Sequence, residues 1–392
     1  MISPRAPLDK APKSLMYFML MIDSFAWPHC IGQTRIKEVL EAAIVNDSLG
    51  HAYLFSGDEG CGKFAAALDV ALGLLCENPK VRPCLACPSC RKVRDYAHPD
   101  FHIIMPVVLT KEHKSDGDLS ALGWEEVARC AKERIGEPYS MPDHEKAPSI
   151  PVDWIREVNH TIQGGAHGVG MNVAILDGVD VLNREAANSM LKLLEEPPSG
   201  TVLLLLTSRM SEVLPTIVSR CQILRFAWLS PKEIREELAR RFGAEETAEA
   251  DRSIFDTGSL GKSLQLFKNP PAEVRKDAAA FLDLCNGGEW PAIAQRIDVM
   301  VEWKDLDRYE NFFGAVIGLV RDAFLHELPG IENVFLTDRP WRPPAAFSHD
   351  GIGMVLDICA KSIAAVRGYA NTMLVLSNCA IALVEVFRAQ KQ

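Results

Sequence analysis

The chain has 392 residues, enough for two or three domains, and carries a formal net charge of −10. Its apolar share of 48% and charged share of 24% are those of an ordinary folded protein and exclude a disordered or low-complexity class. The acidic balance argues against a surface given over to nucleic acid, although a local basic face is compatible with it.

Residues 1–24 read as an irregular leader. Leu15 to Ile22 follows basic residues and resembles a short signal-peptide core, but it lacks a small-residue cleavage site and is too short to span a bilayer. A start codon placed too early, with Met19 or Met21 as the true start, is the companion reading. From residue 25 to 227 apolar strands alternate with helical segments, which predicts an α/β fold with a parallel sheet covered by helices. The expected strands are Ala52–Phe55, Phe101–Met105, Asn172–Asp177, Thr201–Leu206 and Gln222–Phe226. Helices are expected over Lys63–Leu75, Val152–Gln163, Arg184–Glu195 and Glu212–Val218, with Pro197 and Pro198 ending the third.

Residues 107–151 are polar, with turn signals at Asp116-Gly117, Gly136-Glu137-Pro138 and Pro148, and read as an insertion around one helix at Trp124–Glu133. After Phe226 the signals are helical only. Ser230, Pro231 and Glu233 form a helix start with a cap, a first-turn proline and a capping box. A small helical lid is expected over 228–270 and an all-α domain over 271–392, broken by a Pro-rich loop from Pro329 to Ser348. No apolar run is long and charge-free enough for a membrane helix; Met373–Phe387 comes nearest but contains Asn378 and Glu385.

Two constellations carry chemistry. Gly57, Gly60, Gly62 and Lys63, between a strand and a helix, match a phosphate-binding loop, in which backbone N–H groups, the helix dipole and a lysine face phosphate oxygens. The position after the lysine normally supplies a Ser or Thr hydroxyl to Mg²⁺, and here it is Phe64. Asp177 occupies the place of the acidic residue that holds the metal through water, yet its neighbour is Gly178 rather than a carboxylate able to orient attacking water. ATP or ADP binding without hydrolysis is the reading this supports. The second constellation is Cys76, Cys84, Cys87 and Cys90, which has the spacing of a closed four-thiolate Zn²⁺ site of structural type; free cytosolic thiols are the alternative. Eleven cysteines in a chain with a phosphate loop point to a reducing cytosol, hence a cytoplasmic protein, and the other seven read as core or surface fillers. Cys61, inside the loop, is the one candidate for oxidation sensitivity.

The order of His51-Ala52-Tyr53-Leu54-Phe55-Ser56-Gly57, the phosphate loop, the four cysteines and His98-Pro99-Asp100 carries a resemblance, completed by Leu193-Leu194-Glu195-Glu196-Pro197-Pro198 and Ser219-Arg220-Cys221. Together these resemble the AAA+ subunits of the bacterial DNA polymerase III clamp loader. The resemblance covers about residues 25–270; beyond that only the helical character matches the family's collar domain. It implies that Arg220 is an arginine finger supplied in trans to a neighbouring subunit, that Thr207 is the polar sensor, and that Lys262 stands where active subunits carry a phosphate-sensing Arg. With Phe64 and Gly178 it implies the family's non-hydrolysing stator, with no ATPase of its own. It would work within a heteropentamer of gamma/tau motor subunits and a delta subunit that places the sliding clamp on primed DNA. The complex as a whole would be a DNA-directed DNA polymerase, a nucleotidyltransferase, with no membrane partner. Two other readings stay open: an ATP-hydrolysing gamma/tau-type motor subunit, and a zinc-dependent nucleic-acid-binding protein on a degenerate nucleotide fold.

Overall fold

The computed structural model describes residues 24–46, 48–115, 118–141, 149–167, 171–249, 254–255, 257–268, 272–303, 306–327, 341, 348–368 and 370–389. Almost all of the leader and most of the Pro-rich loop therefore lie outside the described residues. The chain divides into two compact units, one of residues up to 141 with 148–237 and 258–262, the other of 142–147, 238–257 and 263 onward.

The first unit is built on five parallel strands: β1 (Ala52–Ser56), β2 (Phe101–Ile104), β3 (Asn172–Asp177), β4 (Thr201–Thr207) and β5 (Gln222–Arg225), in the order β2-β3-β4-β1-β5. The central strands are buried almost throughout, as the runs Ala-Tyr-Leu-Phe, Asn-Val-Ala-Ile-Leu and Thr-Val-Leu-Leu-Leu-Leu-Thr require when helices cover both faces of a sheet. Register aligns the carboxyl ends. Ser56 pairs with Thr207 and with Arg225, and Asp177 pairs with Leu206. The crevice beyond those ends is where an open α/β sheet takes its ligands.

Helices α1 (Thr34–Val45), α2 (Lys63–Leu75), α3 (Pro88–Arg94), α4 (Ala121–Gly136), α5 (Val152–Gln163), α6 (Arg184–Glu195) and α7 (Pro215–Val218) surround the sheet. Every residue of α2 is buried. Its Asp69 accepts hydrogen bonds from the amides of His29 and Cys30 at 3.0 and 2.8 Å and sits 2.6 Å from His29 Nδ1, which fastens the preceding segment to the core. The bounds of α2, α5 and α6 are those expected from the sequence. The expected helix Glu212–Val218 is instead a 3-10 turn over Met210–Glu212 and the short α7. Pro215 cannot donate the amide that an interior helical position needs, and Leu214 before it is held extended.

The insertion is pinned at its base by two hydrogen bonds between Val107 and Ser149, each 3.0 Å. Its helix α4 is longer at both ends than expected. Ser120 caps it by accepting from the Gly123 amide at 3.2 Å, and Val127, Ala131 and Ile135 give it a buried stripe.

Beyond β5 the described elements are helices: α8 (Pro231–Phe242), α9 (Ala244–Glu249), α10 (Leu260–Lys268), α11 (Ala272–Gly287), α12 (Trp290–Val301), α13 (Leu306–Glu327), α14 (His349–Arg367) and α15 (Thr372–Ala389). The capping box at α8 forms as expected, with the Ser230 amide donating to Glu233 at 2.7 Å and the Glu233 amide to the Ser230 hydroxyl at 3.3 Å. In the second unit, α11 to α15 enclose a core of Phe281, Phe312, Phe313, Met300, Leu383 and Phe387. By length and composition α15 would suffice to cross a membrane, which the sequence reading did not allow it. Its Leu376, Cys379, Ala380, Leu383 and Val384 are buried in that core, so it reads as a core helix. Burial pushes the thiols of Cys285, Cys359 and Cys379 up, the last to about 12, which keeps them protonated fillers.

Candidate functional site

Residues 57–62 join β1 to α2 as a tight loop. Gly62 has φ 105, and a Cβ there would come within 2.9 Å of the Tyr139 hydroxyl, so the turn into the helix requires glycine. Lys63 is buried, and its ammonium donates to the carbonyls of Gly57 and Asp58 at 2.6 and 2.7 Å and to Ser208 Oγ at 3.1 Å. It thus clamps the loop to the end of β4. The Gly57 amide reaches the Thr207 carbonyl at 3.3 Å. Residues 258–262 lie against the loop: the Gly261 amide donates to Gly60 O at 3.2 Å and Ser259 Oγ to Glu59 O at 2.7 Å. Trp228 Nε1 donates to the Asp58 carboxylate. The Lys262 ammonium has no hydrogen bond or ion pair among the described residues. Cys61 is buried, and desolvation pushes its thiol up, which leaves little thiolate for oxidation.

The metal half of the site is different. Asp177, at the end of β3, carries the guanidinium of Arg134, whose Nη2 and Nε lie 3.0 and 3.2 Å from one carboxylate oxygen. The remaining nitrogen of that guanidinium donates to the carbonyls of Pro138, at 3.1 Å, and Ser140. Arg134 also lies over the ring of Phe64, 4.5 Å from its centroid. Mg²⁺ asks for octahedral oxygen ligands. Phe64 offers none, and the Asp177 carboxylate is engaged by Arg134, so these residues do not fit a metal-bound nucleotide. Gly178, with φ 80, has Pro106 so close that a Cβ would meet its Cγ at 2.9 Å, which bars a carboxylate from that position. Thr207 is buried and donates to Asp180 at 2.7 Å, while Arg209 Nε holds the other oxygen of Asp180 at 3.1 Å. The sensor-like hydroxyl is therefore spent within the chain.

The four cysteines converge. Cys76 ends α2, Cys87 caps α3, and all four Sγ atoms lie within 4.8 Å of one another, with Cys76 and Cys87 4.0 Å apart. A tetrahedral Zn²⁺ with bonds of about 2.3 Å separates its sulfurs by roughly 3.8 Å, close to this spacing. Backbone amides of Asn78 and Cys84 point at Cys76 Sγ, that of Cys87 at Cys84 and that of Cys90 at Cys87, at 3.3 to 3.4 Å, as thiolates require. A hydrogen bond from Cys90, joined by the amides of Cys84 and Asn78, draws the Cys76 thiol down toward the thiolate. Arg82, nearly fully buried and fixed by Asn78 O at 2.8 Å, supplies a cation beside these sulfurs, although burial lowers its own pKa. The set fits structural zinc, with no position left for a reacting water.

Arg220 stands just beyond α7. Its guanidinium donates to Thr216 O at 2.9 Å and to Glu195, at the end of α6, at 2.6 Å. Both side chains of this pair are substantially exposed, 35% and 49%. The sequence reading missed Arg134, Arg82 and the Glu195 contact. A lone arginine on a predicted helix or loop carries no signal of its partner.

A family model described as DNA polymerase III, delta subunit, matches residues 32–230. The chain is 30% identical over 237 residues to the DNA polymerase III subunit delta' of Bacillus subtilis, covering 60% of each protein. To the subunit tau of the same organism it is 27% identical over 225 residues, 57% of this chain and 33% of that one. To the subunit delta' of Pseudomonas aeruginosa it is 31% identical over 172 residues, 44% and 41%. These alignments span at most 60% of the relatives' own length.

Proposed function

The chain belongs to the DNA polymerase III delta subunit family, matched over residues 32–230, and from that membership we propose that it is a non-hydrolysing clamp-loader subunit of the delta-prime type. Its AAA+ core (25–227), helical lid (228–270) and collar (271–392) assemble with gamma/tau-type motor subunits and a delta-type subunit in the cytoplasm. In that complex Arg220 enters a neighbour's ATP site while the sliding clamp is placed on primed DNA. A planar guanidinium supplied in trans spreads positive charge over the equatorial oxygens of the transferring phosphoryl group. The cysteine knuckle holds structural Zn²⁺.

The observation that carries this reading is the contrast between the two arginines. Arg134 is bonded into the chain's own cleft, whereas Arg220 is on the surface in a pair worth about 0–1 kcal/mol, cheap to surrender to a neighbour. Phe64 and Gly178 support the lack of turnover, since neither offers a ligand or a base. Direct contact of this subunit with DNA would run through backbone amides at helix ends and remain modest, given the acidic balance.

The test is turnover. Alone, the chain shows no ATP hydrolysis; measurable turnover favours the motor reading. Reconstituted with its motor and delta-type partners, the complex hydrolyses ATP, and Arg220→Ala slows it without preventing assembly.

A further inference from the structure

A phosphate-loop cleft that had merely lost a ligand would leave Asp177 facing solvent. Instead, four observations converge on it from the insertion. Arg134 of α4 binds the Asp177 carboxylate through two nitrogens. The same guanidinium covers the ring of Phe64, the residue that replaces the metal-binding hydroxyl. Its third nitrogen is held by the turn after α4, through Pro138 and Ser140 carbonyls. That turn is anchored beside the phosphate loop: Tyr139 is buried, accepts from the Ile31 amide at 2.8 Å, and lies against Gly62.

We propose that Arg134 is a built-in substitute for the metal ion, so that helix α4 and the turn after it, residues 121–141, plug the cleft against divalent metal–nucleotide and are themselves docked by it. This deepens the non-hydrolysing reading and rests on it for the identity of the cleft. The chemistry favours the arginine. A guanidinium is weakly hydrated and permanently charged, whereas Mg²⁺ dehydrates reluctantly and would find the Asp177 carboxylate already bonded and a phenyl ring in place of a hydroxyl. Tethering raises the local concentration of the arginine to the order of mM or more, without any cost of recruiting it from solution. Phe64 suits the plug, because the negative face of an aromatic ring attracts a guanidinium. One guanidinium thus meets both Asp177 and Phe64, a covalently attached cation where a metal would come from solvent.

The experiment uses the full chain and Mn²⁺ with ATP, read by electron paramagnetic resonance of the free ion. The wild type binds Mn²⁺–ATP weakly. Arg134→Gln combined with Phe64→Thr binds it at least about tenfold more tightly, and adding Asp177→Asn abolishes the gain. A wild-type chain that binds Mn²⁺–ATP as well as the double variant overturns the proposal. Should the double variant not fold, Asp177→Asn alone reads the same contact from the other side. It exposes residues 121–141 to protease while the sheet stays folded, and unchanged protection overturns the docking. Neither readout involves turnover by an assembled complex, so failure here leaves the Arg220 reading standing, and failure of that reading leaves the plug standing.

Discussion

The two ligand sites of the first unit stand at opposite ends of one buried helix, α2, and they have fared in opposite ways. At its carboxyl end Cys76 and three more thiols converge with amides aimed at the sulfurs and a buried Arg82 beside them. At its amino end the phosphate loop keeps its glycines and Lys63, but the metal half is filled by Arg134. The difference teaches what the fold still needs. On the proposed reading, a metal that staples the structure has all its donors at one end, and at the other an internal contact stands where a ligand needed only for turnover would bind.

The comparison predicts unequal costs. Stripping zinc with a chelator, or Cys87→Ser, destabilises the chain by at least about 3 kcal/mol, because binding energy at a closed site is folding energy. Thermal melting before and after zinc removal checks this, and an unchanged midpoint would remove the metal from the account. Adding or withholding Mg²⁺ changes nothing in the same melt.

Acid probes the sheet rather than either site. His102 on β2 is buried and desolvation pulls its pKa from 6.5 to about 4. The unfolded chain therefore takes up a proton near pH 6.5 that the folded chain refuses until near pH 4. The His102 contribution to stability is full above pH 6.5 and falls toward pH 4 by about 3 kcal/mol. In urea titrations across that window, His102→Leu flattens the slope; an equally steep slope in the variant would assign the loss elsewhere.

Arg134→Ala costs about 2 kcal/mol, since it leaves Asp177 half-buried without its cation and uncovers Phe64. The smallest effect lies outside both sites: Ser230→Ala forfeits the cap of α8 for about 1 kcal/mol. Equal losses for these two variants in urea would mean that the plug is only a surface pair.

Much of the architecture was legible because it rests on local patterns. The strand runs, Lys63 to Leu75, and the proline stop after Glu195 fix elements by period and punctuation. Helix α1 was not foreseen: Ile36, Leu40 and Ile44 recur at helical spacing, but Gln33 before it is left-handed and caps nothing, so the start signal is missing. The four thiols were legible as a set because their spacing alone brings them together. Arg134 was not, since its partner lies 43 residues away and its helix belongs to an insertion read as polar filler. The same is true of Glu195 holding Arg220, 25 residues apart. Sequence pattern names candidate ligands; which of them the fold has already occupied is a tertiary fact.

The most direct test of the division between a closed site and a donated arginine is ATP turnover by the reconstituted complex, stimulated by clamp and primed DNA, with wild-type chain or Arg220→Ala. A finger is worth about 10³-fold or more at the site it serves. The account predicts that a fully assembled Arg220→Ala complex loses that site's share of turnover. Undiminished turnover at equal assembly would contradict it.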